Sequence, residues 1–403
     1  MAGSEDETLR HLRRWWLRRQ GLTVATRPKS FDACVRAAGW LQTSGSPNLY
    51  LSIRARAPGV SRDVIDRAIV DGTTVVEVPG AHARPHVLVP REETALALRL
   101  HGANWNKQAA SYFRSRGNEQ AFNAVAAQAA RALDEGPLTS VQVRSRVTHP
   151  DAPEYLASAL TVLTMRGHAR RYPLDGRLDS HAYAYELRHP DDRPDLDAEG
   201  DAAAVNQRAL QLMLQRHGPA TVDEVAWWTL LTKAEVRAGL AAINAHAFEV
   251  PGWAKQAWLT ADDAPRWRSF KPDEDDRVVL LPHRDPFVHM RWTPAVLTAT
   301  PDAKVMDLRR GRMMTIPISD IAGGLNHHVI LSGADIVGVW EYDPAAKAIR
   351  TRLWSSNRTL SKQVAEAAAE TATFIRQQIG EFKLSAADPP ERRKKRLAFC
   401  KSG

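Results

Sequence analysis

Residues Ala38–Arg56 read AGWLQTSGSPNLYLSIRAR. Gly39 is placed to end a helix. Ser46-Pro47 is placed to start another, with Ser46 as N-cap and Pro47 at the first helical position. Between them Gln42, Thr43 and Ser44 form a polar trio on a short connector beside Trp40 and Leu41. Residues two apart in an extended segment face the same way, so Gln42 and Ser44 share a side. The trio is the one candidate site for chemistry in the sequence. On residues alone it equally fits a capped loop whose glutamine bonds a backbone amide, because a motif this short has little specificity.

Working outward, residues 8–20 place Leu9, Leu12 and Trp16 on one stripe, the pattern of an amphipathic helix stopping at Gly21. Ser30 caps a second helix with Phe31, Cys34, Val35 and Ala38 facing inward. After the helix from Pro47, Ser61 caps another with Val64, Ile65 and Ala68 inside, ending at Asp71-Gly72. TTVVEV, PGAHARP and HVLVP then read as strand, turn and strand. Helices followed by a hairpin make the layout of a winged helix. Its wing would be Pro79–Pro85, carrying His82 and Arg84.

The pattern returns twice. Residues 120–132 are an alanine-rich helix, GPLTSVQVRSRV starts a second at Thr139 or Ser140, and Ala152–Arg166 form a third. HARRYPL and HAYAYEL alternate as strands around Asp175-Gly176. After the acidic segment His189–Asp201, residues 203–216 form a helix with Val205, Ala209 and Leu212 in register. GPATVDEVAWWTLL follows, with Thr221 and Glu224 spaced as a capping box. Lys233–Ile243 and the aromatic run FEVPGWAKQAWL complete the third repeat. From about Asp276 the texture changes to short strands such as RVVLLPHRDPFV and HHVILSGADIVGVWEY. Residues 359–380 then place Leu360, Val364, Ala368, Thr371, Ile375 and Ile379 along one side of a long helix. The expected class is α+β. It comprises three tandem winged-helix units (1–118, 119–190 and 202–265), a small β-domain with the long helix (275–388), and a disordered basic tail (389–403).

The 403 residues suffice for several domains with well-buried cores, and 44% apolar with 25% charged is an ordinary soluble composition. No apolar run approaches membrane-spanning length. MAGSEDETLRHLRRWW lacks the apolar core of a signal peptide. Cys34 and Cys400 sit near opposite ends and suggest no disulfide framework, so a reducing cytoplasm is expected. The net charge is +9. Arg10, Arg13, Arg14, Arg18, Arg19 and Arg27 crowd the first helix and its exit, and Arg392–Arg396 load the tail. Such clustering fits a polyanion partner and fits a solvated helix face as well.

Taken together, LRRQGL, GWLQTSGSPNLYLSIRAR, GPATVDEVAWWTLL, RVVLLPHRDPFVHMR and HHVILSGADIVGVW resemble the bacterial winged-helix DNA glycosylases of the AlkZ/YcaQ group. The resemblance implies excision of alkylated bases, and of interstrand crosslinks, from DNA. Gln42 matches the first glutamine of the family's LQ-x-Q segment. Ser44 stands where the family has a second glutamine, or aspartate in the crosslink-repair branch. Alkylation at purine N7 or N3 makes the base a cationic leaving group, so no general acid is required. A carboxamide at Gln42 would orient water and offer its dipole to the oxocarbenium-like sugar.

The expected catalytic pair is therefore Gln42 and Ser44, with Arg54, Arg56, His82 and Arg84 meeting DNA. The expected partner is damaged double-stranded DNA, held by a monomer in the nucleoid. The alternative is a winged-helix protein that binds DNA as a regulator or damage sensor without cutting. Asp63 and Asp66 read as surface or capping residues. His82 and His86 flank a wing, and His283, His289, His327 and His328 lack metal-ligand spacing. Trp15, Trp16, Trp40, Trp105, Trp227 and Trp228 suit stacking on bases or, more simply, the core. Neither a G-x-x-x-x-G-K-[ST] loop nor a G-x-G-x-x-G loop occurs, so no nucleotide cofactor and no metal is expected.

Overall fold

The computed structural model describes residues 2–43, 47–80, 86–115, 117–178, 182–307, 314–380 and 389–401. The chain divides into two compact units. One contains residues 1–41, 46–62 and 210–403, the other residues 42–45 and 63–209. The class is α+β, built from helices and small antiparallel sheets.

In chain order, α1 (Ala2–Arg19), α2 (Phe31–Ala38), β1 (Leu41–Gln42), α3 (Asn48–Arg56) and α4 (Arg62–Asp71) lead into β2 (Val75–Pro79) and β3 (His86–Pro90). Then come α5 (Thr94–Ser115), α6 (Glu119–Leu133), β4 (Leu138–Thr139), α7 (Ser140–Arg146), α8 (Ala152–Met165), β5 (Ala169–Pro173) and β6 (Tyr183–Leu187). A third run holds α9 (Ala202–His217), α10 (Val222–Thr229), α11 (Lys233–Ala242), β7 (His246–Val250) and β8 (Ala254–Leu259). The remainder comprises α12 (Asp263–Ser269), β9 (Val278–Leu281), α13 (Pro286–His289), β10 (Lys304–Asp307), β11 (Met314–Pro317), β12 (His328–Ser332), β13 (Asp335–Asp343), β14 (Ala348–Leu353), α14 (Arg358–Phe374) and α15 (Pro390–Lys401).

Local chemistry sets many of these boundaries. Ser30 Oγ accepts from the Ala33 amide at the start of α2, and its inward residues Phe31, Cys34, Val35 and Ala38 are all buried. Capping boxes open α7 (Thr139 and Gln142), α10 (Thr221 and Glu224) and α11 (Thr232 and Glu235). Each satisfies two amide donors that the first helical turn leaves open. The cap expected at Ser46 lies outside the described residues.

Helix α4 departs from its expected face. Ile65, Asp66 and Ile69 are buried, while Val64 is exposed. The i, i+4 pair of isoleucines sets the inward stripe, and Val64 lies off it. Helix α5 runs 22 residues through Gly102, Asn104 and Asn106, residues that lower intrinsic propensity. The tail, expected to be disordered, forms α15. Arg393 and Arg396 are buried there, with Arg393 donating to the Tyr342 carbonyl at 2.8 Å and Arg396 paired with Glu341. Buried carboxylate and carbonyl partners take up these two arginines, while Lys394 and Lys395 of the same run stay exposed.

In the first unit, β14-β13-β12-β9 form an antiparallel sheet. Gly333, at φ +57°, makes the tight turn between β12 and β13. Leu12, Trp16 and Leu17 of α1 join Leu259, Leu281, Phe287, Val329 and Val339 in one core. In the second unit, Phe122, Val125 and Ala129 of α6 pack with Tyr155, Leu156 and Leu160 of α8.

Charge pairing inside the first unit is extensive. Arg56 and Asp285 are both fully buried. Arg56 donates to both Asp285 oxygens at 2.7 and 2.9 Å, to the Gln20 and Ser52 carbonyls at 2.9 and 3.1 Å, and to Gln20 Oε1 at 3.5 Å. All five guanidinium hydrogens therefore have an acceptor. Asp285 in turn accepts from the Phe287 amide at 3.0 Å, capping α13. A second pair joins Arg291 to Glu224 at 3.4 Å, with Arg291 stacked 3.6 Å from the Trp16 ring and donating to the His217 carbonyl at 2.7 Å. Burial pulls Arg291 down to about 10 and holds Glu224 above its usual range.

The arginine cluster of α1 is compensated in the same way. Arg13 meets Asp335 at 2.9 Å, Arg14 meets Asp276 at 2.6 Å, Arg18 meets Asp273 at 3.2 Å, and Arg19 meets Asp263 at 2.8 Å. Arg14 also donates to the carbonyls of Asp273 and Asp275. These four arginines serve the unit's own acidic segments, where the sequence left a polyanion partner open.

Three histidines are held below their usual pKa. His327 contacts the Met306 carbonyl at 2.7 Å, and His328 stacks on Trp340 at 4.2 Å while accepting from the His283 amide at 2.8 Å. Burial pushes His327 down to about 4 and His328 well below its usual value. His86 of the second unit is likewise pushed to about 4 by burial and by the charge of Arg171.

Two outcomes are expected. Arg56→Ala and Asp285→Ala should each cost about 3–5 kcal/mol in denaturant melts, because each strands a buried charge. Replacing both with apolar residues should recover part of that loss. A folded histidine pKa below the unfolded value means the unfolded chain takes up protons that the native state refuses. Stability should therefore be flat above about pH 7 and decline as pH falls from about 6.5 towards 4. Melting temperature across that range checks it, and His327→Gln should make the decline shallower.

Candidate active site

The chain turns sharply out of α2. Gly39 has φ +71°, and a Cβ there would lie 2.8 Å from His217 Nε2, so only glycine fits. Trp40 follows with φ +36°, buried, its ring 4.8 Å from that of Trp228. This packing absorbs the cost of a left-handed tryptophan. The turn delivers the chain into β1 at Leu41–Gln42.

β1 lies at the edge of a three-stranded sheet of order β1-β3-β2. The Thr43 amide donates to the His86 carbonyl at 3.2 Å. The Thr43 side chain is 1% exposed, and its hydroxyl donates to Glu77 Oε1. Glu77 is itself buried and receives Arg171 through two parallel bonds, Nε to Oε2 and Nη2 to Oε1, both 3.0 Å. The Arg171 guanidinium stacks 3.9 Å from the Tyr183 ring centroid. Burial would raise the Glu77 carboxyl. Arg171, the nearby His86 and the bonds from Arg171 and Thr43 outweigh it, and Glu77 sits below the usual carboxylate range. Glu77 and Arg171 also line a cleft of about 730 Å³ with Gly72, Arg91, Arg170 and Arg188.

Neighbouring side chains on a strand point to opposite faces. With Thr43 directed at Glu77, the half-buried Gln42 belongs to the other face. The strand therefore presents a neutral carboxamide on one side and is anchored to an ion pair on the other. Glu77 is 3% exposed, with its carboxylate engaged by Arg171 and Thr43. The arrangement suits orientation of a water molecule.

The other expected site residues have different fates. Ser44, His82 and Arg84 lie outside the described residues. Arg56 is corrected: it is sealed against Asp285, and no phosphate can reach it. Arg54 is half-buried, its guanidinium 4.9 Å from the Phe374 ring and 4.0 Å from Glu370, and burial lowers its pKa. It lines a cleft of about 610 Å³ with Pro58, Gly59, Thr373 and Gln378. Trp16 and Trp228 are core residues, while Trp227 is partly buried, 5.6 Å from the 37%-exposed Trp292.

Sequence reasoning passed over Glu77. It is flanked by valines, and every residue of β2 is buried. A lone carboxylate in a strand buried on both faces requires a cationic partner, and that was the available signal.

Several comparisons with known proteins bear on this geometry. No curated protein matches the chain. Among solved structures, the DNA glycosylase AlkZ of Streptomyces sahachiroi is similar, with a TM-score of 0.69 and 19% identity over 93% of this chain and 97% of that one. At that identity the likeness establishes the fold. The model of the AlkZ-like DNA glycosylase family matches residues 35–374, from within α2 to the end of α14. That span covers most of the chain, including the turn at Gly39 and the strand bearing Gln42, so the chain belongs to the AlkZ-like DNA glycosylase family.

Proposed function

We propose that this glycosylase hydrolyses the N-glycosidic bond of alkylated, cationic purines in duplex DNA, with Gln42 positioning the attacking water. The observation that carries this reading is the two-point anchoring of Thr43, which fixes the strand end next to Gln42, on the opposite face by alternation. A purine alkylated at N7 or N3 departs as a neutral base. The protein must then stabilise an oxocarbenium-like sugar and place one water, tasks within reach of a rigid carboxamide. A crosslink made through the same purine nitrogens has the same leaving group and falls within the same chemistry.

In this reading Ser44, two residues after Gln42 in sequence, offers a hydroxyl where related enzymes carry a second glutamine or an aspartate. A hydroxyl is shorter and is not a base without an activating partner. The three runs of helices ending in antiparallel strands act as tandem winged helices. Arg84 and His82 on the wing, with Arg54, hold the duplex backbone. Phosphate contacts of this kind position DNA without reading sequence.

Release of 7-methylguanine from alkylated duplex DNA tests the proposal. Wild type should release the base above the spontaneous rate. Gln42→Ala should abolish release while binding DNA normally, and Ser44→Gln should raise it. Arg84→Ala should weaken binding to damaged and undamaged DNA alike and reduce the salt slope by about 1. Tight, salt-dependent binding with no release by wild type would overturn the catalytic reading in favour of a damage-binding protein.

A further inference from the structure

The second unit contains a polar cluster that the proposed chemistry does not use directly. In the β2–β3 hairpin, Glu77 pairs with Leu88 and Pro79 with His86, so Glu77 and His86 share one face. Thr43 meets this hairpin twice, its amide on the His86 carbonyl at the edge of β3 and its hydroxyl on the Glu77 side chain. Behind Glu77, Arg171 comes from β5 and is backed by Tyr183 of β6. Strands from two hairpins thus form a chain of contacts, Tyr183 to Arg171 to Glu77, that ends on the Thr43 hydroxyl.

The consequence is a matter of register. β1 is only two residues long, so backbone pairing alone specifies its register weakly. A slip of one residue would turn every side chain to the opposite face. It would swing Gln42 into the hairpin and expose Thr43. The hydroxyl bond to a buried carboxylate opposes that slip, because breaking it takes one of two donors from Glu77 Oε1, the other being Arg171 Nη2. Arg171 fixes the carboxylate in turn, since a bidentate pair defines both its position and its plane.

We propose that Glu77 is a positioning residue for base excision: paired with Arg171, it holds Thr43 and thereby fixes the face on which Gln42 is presented. Glu77 touches no reacting atom and acts through the strand. The inference rests on the reading of Gln42 as the residue that orients water.

The test uses the full chain and the 7-methylguanine release assay, with kcat, KM and melting temperature measured for each variant. Thr43→Val preserves shape and removes the donor. It should lower kcat about tenfold to a hundredfold, as misplacement of a reacting group does, with KM close to wild type. Thr43→Ser restores the donor and should recover most of kcat. Glu77→Asp keeps the charge facing Arg171 but withdraws the carboxylate from Thr43, and should repeat the kcat loss. This second route keeps the test decisive if Thr43→Val does not fold. Gln42→Ala is assayed alongside. If Gln42→Ala excises like wild type, the reading of Gln42 fails and the positioning role fails with it. If Gln42→Ala is inactive while Thr43→Val and Glu77→Asp turn over normally, only the positioning role is overturned. Lower melting temperatures with unchanged kcat would mark the cluster as structural and overturn it too.

Discussion

The buried pair of Arg56 and Asp285 is the constraint on which the first unit depends. Two charges removed from water are tolerated only when geometry is complete. Here the guanidinium reaches five acceptors, and one of its partners caps the next helix. The contact ties α3, which begins just after the candidate site, to residues more than 200 positions later. It also settles what an arginine at the end of α3 is for. The same side chain in the same sequence context reads equally as a phosphate ligand until its burial is known.

That ambiguity recurs with charge throughout the chain. Arg13, Arg14, Arg18 and Arg19 look like a basic stripe because their carboxylates lie more than 240 residues away in sequence. The tail's arginines look disordered because Glu341 and the Tyr342 carbonyl are distant as well. Patterns that depend on neighbours within a few residues were legible: the Ser30 cap, the Thr221–Glu224 capping box, the β2–β3 hairpin and the apolar stripe of α14. The 22-residue α5 was not, since Gly102, Asn104 and Asn106 interrupt its local signal and tertiary packing overrides it. The stripe of α4 was shifted by one position because valine and isoleucine alternate there and only packing chooses between them.

At the candidate site the sequence pointed to Gln42 through a family motif, and to a connector of the right kind. It did not point to what holds the connector. Glu77 sits inside a run of valines, and Arg171 comes from a hairpin almost a hundred residues on. The site thus has two layers of unequal visibility. The residue proposed to face the substrate is carried by a short motif, whereas the residues proposed to hold that motif are scattered.

The interleaving of the two units has a bearing on modularity. The first unit is assembled from three stretches, and the second from two, one of them only the four residues 42–45. Neither can be lifted out of the gene as one continuous piece. A fragment ending near residue 209 contains the whole second unit but separates α1 from Leu259, Leu281, Phe287 and Val329, the apolar partners that bury it. Likewise, the strand bearing Gln42 is bracketed by segments committed to the other unit. Inheritance of the candidate site is therefore all or nothing: recombination that exchanges an N-terminal module would also exchange half of an unrelated core.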